Sequence, residues 1–142
     1  PHCRDFDPYL ESWQQVKPEY VSFVRVPAVW NPLLQLHARA FYTAEALGKG
    51  AEMHAEFFRE IHERNNYLDS EEKLQAFLGR FNVDAATFES TFTSFAVQTK
   101  LQRADELSRV TGRCTADGGQ AGSYEGLVAL IDELTAAERT GR

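Results

Sequence analysis

One stretch of this chain, YVSFVRV from Tyr20 to Val26, limits what the rest can build. It is β-branched and aromatic with partial alternation, the pattern of a strand, and Pro27 closes it or marks an edge. Every other patterned stretch reads as helix. A lone strand cannot satisfy its own backbone N–H and C=O groups. Either it pairs with something the pattern does not reveal, or the 142 residues are structurally incomplete.

The helices are read from spacing and caps. Phe6, Tyr9, Leu10 and Trp13 fall at i, i+3, i+4 and i+7, which predicts a helix from about Asp5 to Gln15, ended by Lys17-Pro18. Asn31 is placed to cap the next, with Pro32 at its first position and Gly48 after its end at Leu47. Met53, Phe57, Phe58 and Ile61 line a third. Asp69 with Glu72 resembles a capping box before Leu74, Phe77, Leu78 and Phe81. Asp84 caps a helix carrying Phe88 and Phe92, and Phe95, Val97, Leu101, Ala104 and Leu107 form another, ending near Thr111-Gly112. RCTADGGQAG is a loop by composition, and Ser123 caps a last helix with Leu127, Leu130, Ile131 and Leu134 inward.

Composition narrows the class. A hydrophobic fraction of 43% and a charged fraction of 25% are those of a soluble globular domain. A formal net charge of -6 without a basic block argues against nucleic acid as a partner, because phosphate binding needs a positive footprint. No apolar run is long enough for a membrane span, and no signal peptide is expected, although a mature exported protein reads the same way. Two cysteines, Cys3 and Cys114, are too few for a disulfide scaffold or a four-cysteine zinc site. His37, His54 and His62 have no third ligand at a zinc-like spacing, so solvent or core histidines are expected and no metal. Phe57, Phe58, Phe77, Phe81, Phe88, Phe92 and Phe95 read as core. No Ser-His-Asp set, phosphate loop or dinucleotide fingerprint is present.

Several stretches together resemble the DsbA family of thiol–disulfide oxidoreductases. PHCRDFDP is similar to the end of that family's Cys-Pro-His-Cys motif and the helix that follows it. FVRVPAVWN, HARAFYTAEALG, IHERN and FTSFAV are similar to its strand exit and inserted helices, RVTG to the lead-in of its cis-proline loop, and AGSYEGLVALIDELTAAER to its terminal helix. The resemblance implies an α+β chain: an α/β thioredoxin-like fold with an inserted all-helical domain, helix-dominated in these residues. The thioredoxin-like parts would be 1–32 and 103–142, with the helical insert at 33–102. It also implies that the nucleophilic cysteine lies one residue before Pro1, after a strand. A hairpin segment of roughly ten residues would be missing after Gly112, sized by ordinary strand and turn lengths.

In such a motif at a helix start, the first sulfur meets unpaired N–H groups and the positive end of the helix dipole. That favours thiolate and makes the disulfide oxidising, DsbA itself being a standard example. The resemblance gives Cys3 the resolving role, as the more buried sulfur. It has His2 tune the redox poise, Pro1 shape the turn, and Gly112 lead into the substrate-binding loop. Asp7, four residues after Cys3 on the same helix face, is either a proton relay or an ordinary carboxylate near a helix start. Cys114 is expected to be a free thiol. The function implied is donation of a disulfide to folding exported proteins in the periplasm, with reoxidation by a DsbB-type membrane oxidase, no metal or organic cofactor, and a monomer. The main alternative is a non-redox thioredoxin-fold binding module that has lost the dithiol chemistry. A glutathione-using relative is the other, and Cys3 counts against it because those usually carry Ser instead.

Overall fold

A computed structural model describes residues 2–111 and 124–140. Its helices are α1 (His2–Val16), α2 (Pro32–Ala46), α3 (Gly50–His62), α4 (Glu71–Gly79), α5 (Ala85–Phe92), α6 (Phe95–Thr111) and α7 (Tyr124–Thr140). By contacts the chain divides into two units, Pro1–Arg25 with Cys114–Arg142, and Val26–Arg113.

Local capping chemistry sets most of the boundaries. The Asn31 side chain accepts from the Leu34 N–H at 2.8 Å, and Pro32 opens α2 as the spacing predicts. After Leu47 the chain turns at Gly48, whose φ of 69° suits a residue without Cβ. The Lys49 N–H then donates to the Ala44 carbonyl and the Gly48 N–H to the Glu45 carbonyl, satisfying the helix end. Asp84 caps α5 through the Thr87 N–H at 2.8 Å. The α4 cap differs from expectation by one residue. Ser70 accepts from the Lys73 N–H at 3.3 Å, while Asp69 pairs with Lys73 Nζ one turn along at 2.6 Å. The Ser123 cap and the Gly112–Arg113 junction lie outside the described residues.

Among the described residues there is no strand, and residues 20–26 carry no ladder there. One expectation is corrected. Phe95 is 86% exposed rather than core. It is the first residue of α6 and, two positions before Val97, points to the face opposite the stripe of Val97, Leu101 and Ala104.

In the Val26–Arg113 unit, α2 is the central element and touches α3, α4, α5 and α6. Ala40 and Ala44 face a core of Met53, Leu68, Leu74, Phe77, Leu78, Val83, Phe88 and Phe92. Ala38 and Tyr42 face Val29, Val97 and Ala104. The alanines let neighbouring helices approach α2 closely on both sides. Each fully buried large side chain, such as Phe88 at 0% exposure, contributes about 1.5–3 kcal/mol. Arg39 ties α2 to the following helices, donating to the Phe92 carbonyl at 3.1 Å and to Gln98 Oε1 at 2.6 Å. Val29 belongs to this unit's core.

A buried carboxylate lies at the end of α3. Glu60, 5% exposed, accepts from Arg64, Arg80 and Asn66, and Glu56 accepts from Arg59, Arg64 and Arg80. The Asn66 amide and the two guanidiniums outweigh burial and hold the Glu60 carboxyl at about 2. Beside it, Asn65 and Leu68 adopt φ of 54° and 47° in the α3–α4 connection. Leu68 is held there by complete burial of its side chain, and His37 Nε2 donates to the adjacent Tyr67 carbonyl at 2.9 Å.

Candidate active site at the start of α1

The unit formed by Pro1–Arg25 and Cys114–Arg142 positions α1 against α7. Trp13, 4% exposed, donates its indole N–H to Asp132 Oδ1 of α7 at 2.6 Å. Its ring meets Phe23 edge-on at 5.9 Å. Phe6 is buried on the same helix. Pro8 sits inside α1 and, lacking an N–H, makes no bond back to the Arg4 carbonyl. Below it, the Ser12 hydroxyl donates to the Pro8 carbonyl at 3.0 Å.

The first turn of α1 presents Cys3, which is exposed and free. His2 is the first residue of the helix, so the backbone N–H groups of this turn point ahead of it without intrahelical acceptors. A sulfur there is reachable by a large substrate and lies at the positive end of the dipole. Pro1, Gly112 and Cys114 lie outside the described residues.

Asp7 is more specifically held than a solvent-facing carboxylate. Arg25 donates to its Oδ1 at 3.0 Å, and their side chains are 15% and 28% exposed respectively. The same guanidinium lies 5.3 Å from the Phe23 ring centre. An arginine on the segment after α1 therefore fixes a carboxylate one turn below Cys3. Sequence reasoning placed Cys3 and Asp7 on one face but missed Arg25. The signal lay in the alternation of residues 20–26, which puts Arg25 on the same side as Phe23.

The three histidines each make a ring contact. His37 meets Phe57 edge-on at 5.2 Å and is half-buried, and burial lowers its pKa. His54 meets Phe58 edge-on at 5.1 Å, and His62 stacks on the same ring at 6.1 Å.

No family model matches the chain. Individual relatives do. The thiol:disulfide interchange protein DsbA of Pseudomonas aeruginosa is 32% identical over 150 residues, covering 98% of this chain and 71% of the relative. DsbA of Azotobacter vinelandii is 31% identical over 153 residues, covering 100% of this chain and 72% of the relative. An alignment of 153 positions against a chain of 142 means that this relative holds residues with no counterpart here. The crystal structure of Pseudomonas aeruginosa DsbA superposes with a TM-score of 0.90 at 30% identity, covering 99% of this chain and 79% of the other. The fold is therefore the thioredoxin-like one of DsbA, to which the described residues contribute helices. With this identity over nearly its whole length, the chain belongs to the DsbA family of thiol:disulfide interchange proteins.

Proposed function

We propose that the protein is a periplasmic thiol–disulfide oxidoreductase that donates a disulfide to folding exported proteins. The observation that carries this reading is the exposed Cys3 in the opening turn of α1, in a chain of the DsbA family. Cys3 is the resolving half of a Cys-Pro-His-Cys disulfide whose nucleophilic sulfur lies one residue before Pro1. A substrate thiolate attacks that first sulfur, the motif's S–S bond breaks, and Cys3 departs as thiolate and takes up a proton. The substrate's second thiolate then displaces the first sulfur, leaving an oxidised substrate and a reduced motif. A DsbB-type membrane oxidase takes the two electrons and restores the disulfide. His2 tunes the redox poise and Pro1 shapes the turn. Asp7, held by Arg25, relays protons near Cys3, and Gly112 leads into the loop that receives the substrate. No metal or organic cofactor takes part.

In the intact protein Cys3→Ser removes the sulfur that can release the first cysteine from a mixed disulfide, so adducts formed when that cysteine attacks a disulfide of another protein accumulate and are visible by non-reducing electrophoresis. Absence of adducts overturns the role of Cys3. His2→Ser makes the disulfide less oxidising, read from its equilibrium with glutathione; an unchanged equilibrium contradicts the role of His2.

The second reading is a binding module of the same fold without dithiol chemistry. Insulin reduction and dithiol oxidation assays separate the two, since a binding module shows no dithiol redox couple.

A further inference from the structure

The connection between α3 and α4 buries a side chain whose backbone conformation is unfavourable. Leu68 is at 0% exposure yet adopts a φ of 47°. In that region Cβ crowds the following carbonyl, and leucine has no polar group to bond locally in compensation. Burial and backbone preference oppose each other, so the segment is held by less than its burial suggests. Two side chains fasten it. Asn66 donates its amide to Glu60 Oε2 at 2.9 Å, and its backbone N–H donates to the Glu60 carbonyl at 2.9 Å. The second fastener is His37 of α2, which donates from Nε2 to the Tyr67 carbonyl at 2.9 Å, its ring edge-on to Phe57 of α3 at 5.2 Å. Tyr67 is itself 54% exposed, so its own side chain adds little grip.

We propose that residues 67–69 form an acid-released strap: neutral His37 clasps them to α2, and a proton taken up by the ring opens the clasp and frees Leu68 from the core. The two fasteners answer to different acidity. The Glu60 carboxylate keeps its charge down to about 2, so the Asn66 end stays fastened through the range in which a histidine titrates. Burial lowers the pKa of His37, so the ring binds a proton more readily with the strap open than closed. Opening is therefore favoured as pH falls below the ordinary histidine value of 6.5. The Tyr67 and Leu68 carbonyls and the Asp69 carboxylate act on the ring in the other direction and are outweighed. Asp69 is itself held below its ordinary value by Lys73 of α4, so its charge does not change in this range. Phe57, the contact from α3, carries no charge. The rest of the helical unit stays folded while the strap lifts, and the surface bared is apolar, Leu68 and the core it covers. The strap acts independently of the thiol chemistry.

Native-state proteolysis of the full chain by thermolysin, which cuts before apolar residues, reads this opening at the peptide bond between Tyr67 and Leu68. Fragments are identified by mass, and rates are divided by those of an unstructured peptide of the same sequence. From pH 7.5 to 5.5 the normalised rate should rise several-fold, with a ceiling of about tenfold set by the ordinary histidine value. His37→Gln keeps a donor for the Tyr67 carbonyl but takes up no proton, so its rate should stay low at both pH values. Glu60→Gln leaves the clasp in place, so the rise should persist. A parent rate that does not change with pH overturns the proposal. So does a rise that survives His37→Gln, or one lost in Glu60→Gln, which would move the titration to the carboxylate network. A rise shared by bonds within α2 and α5 is global unfolding and overturns it as well.

Discussion

Replacing Glu60 by Gln keeps the side chain's shape and removes its charge, which isolates the electrostatic part of the α3–α4 network. The carboxyl titrates at about 2 in the folded chain against an ordinary value of 4.5. At 1.36 kcal/mol per unit, that difference caps the charge-dependent stabilisation at about 3 kcal/mol. Arg64 and Arg80 are 49% and 46% exposed, so water competes for them and the expected loss is about 1–3 kcal/mol at pH 7. The sign with pH follows from linkage. A carboxyl with a lowered folded pKa stabilises above about 4.5, and the contribution is lost as pH falls toward about 2. Urea unfolding followed by circular dichroism, on both chains at pH 7, 4 and 3, should show the gap between them closing across that window. Distant carboxyls cancel in the difference. Glu56 does not, because it shares Arg64 and Arg80, so Glu56→Gln and the double variant should be non-additive. A gap as wide at pH 3 as at pH 7 would refute the reasoning and assign the loss to packing.

Leu68 combines complete burial with a φ of 47°, so Leu68→Ala should cost about 2–5 kcal/mol in urea unfolding. Leu68→Gly should be no worse than Leu68→Ala, because glycine relieves the left-handed backbone; a markedly less stable glycine variant counts against that. Burial lowers the pKa of His37, so its contribution to stability is present above about pH 6.5 and lost as pH falls through the folded value. Thermal midpoints at pH 7.5 and 5.5 should therefore differ more for the parent than for His37→Gln. Equal differences would remove His37 from the acid response. Asn31→Ala removes the cap on α2 and should cost about 1 kcal/mol by the same unfolding assay.

What the sequence disclosed was local. Asn31-Pro32, Gly48 and Asp84 act on backbone groups within a few residues, so their spacing alone placed the ends of α2 and the start of α5. Two neighbouring cap candidates, Asp69 and Ser70, differ only in which reaches the Lys73 N–H, and pattern did not separate them. The strand at Tyr20 to Val26 has the right side chains, but a strand is defined by its partner, and no property of those residues supplies one. At the candidate site, the helical spacing of Cys3 and Asp7 was legible, whereas the Asp7–Arg25 pair joins residues 18 apart. Glu60 was missed although it left a trace. It follows Met53 by seven positions on the face that Phe57 also occupies, and an acidic residue on an apolar stripe is a sign of a buried, paired carboxylate.

The two units differ in how the ribosome delivers them. The helices around α2 come from one continuous stretch, Val26–Arg113, so all of their contacts can form once Arg113 has emerged. α1 is made first but packs against α7, and the bond from Trp13 to Asp132 spans 119 positions of sequence. During synthesis the apolar side of α1, with Phe6 and Trp13, must wait unpartnered while the helical unit folds behind it. The residues of α1 thus settle after those of the helical unit. The interval is when Cys3, in the opening turn of that waiting helix, is most exposed to other thiols.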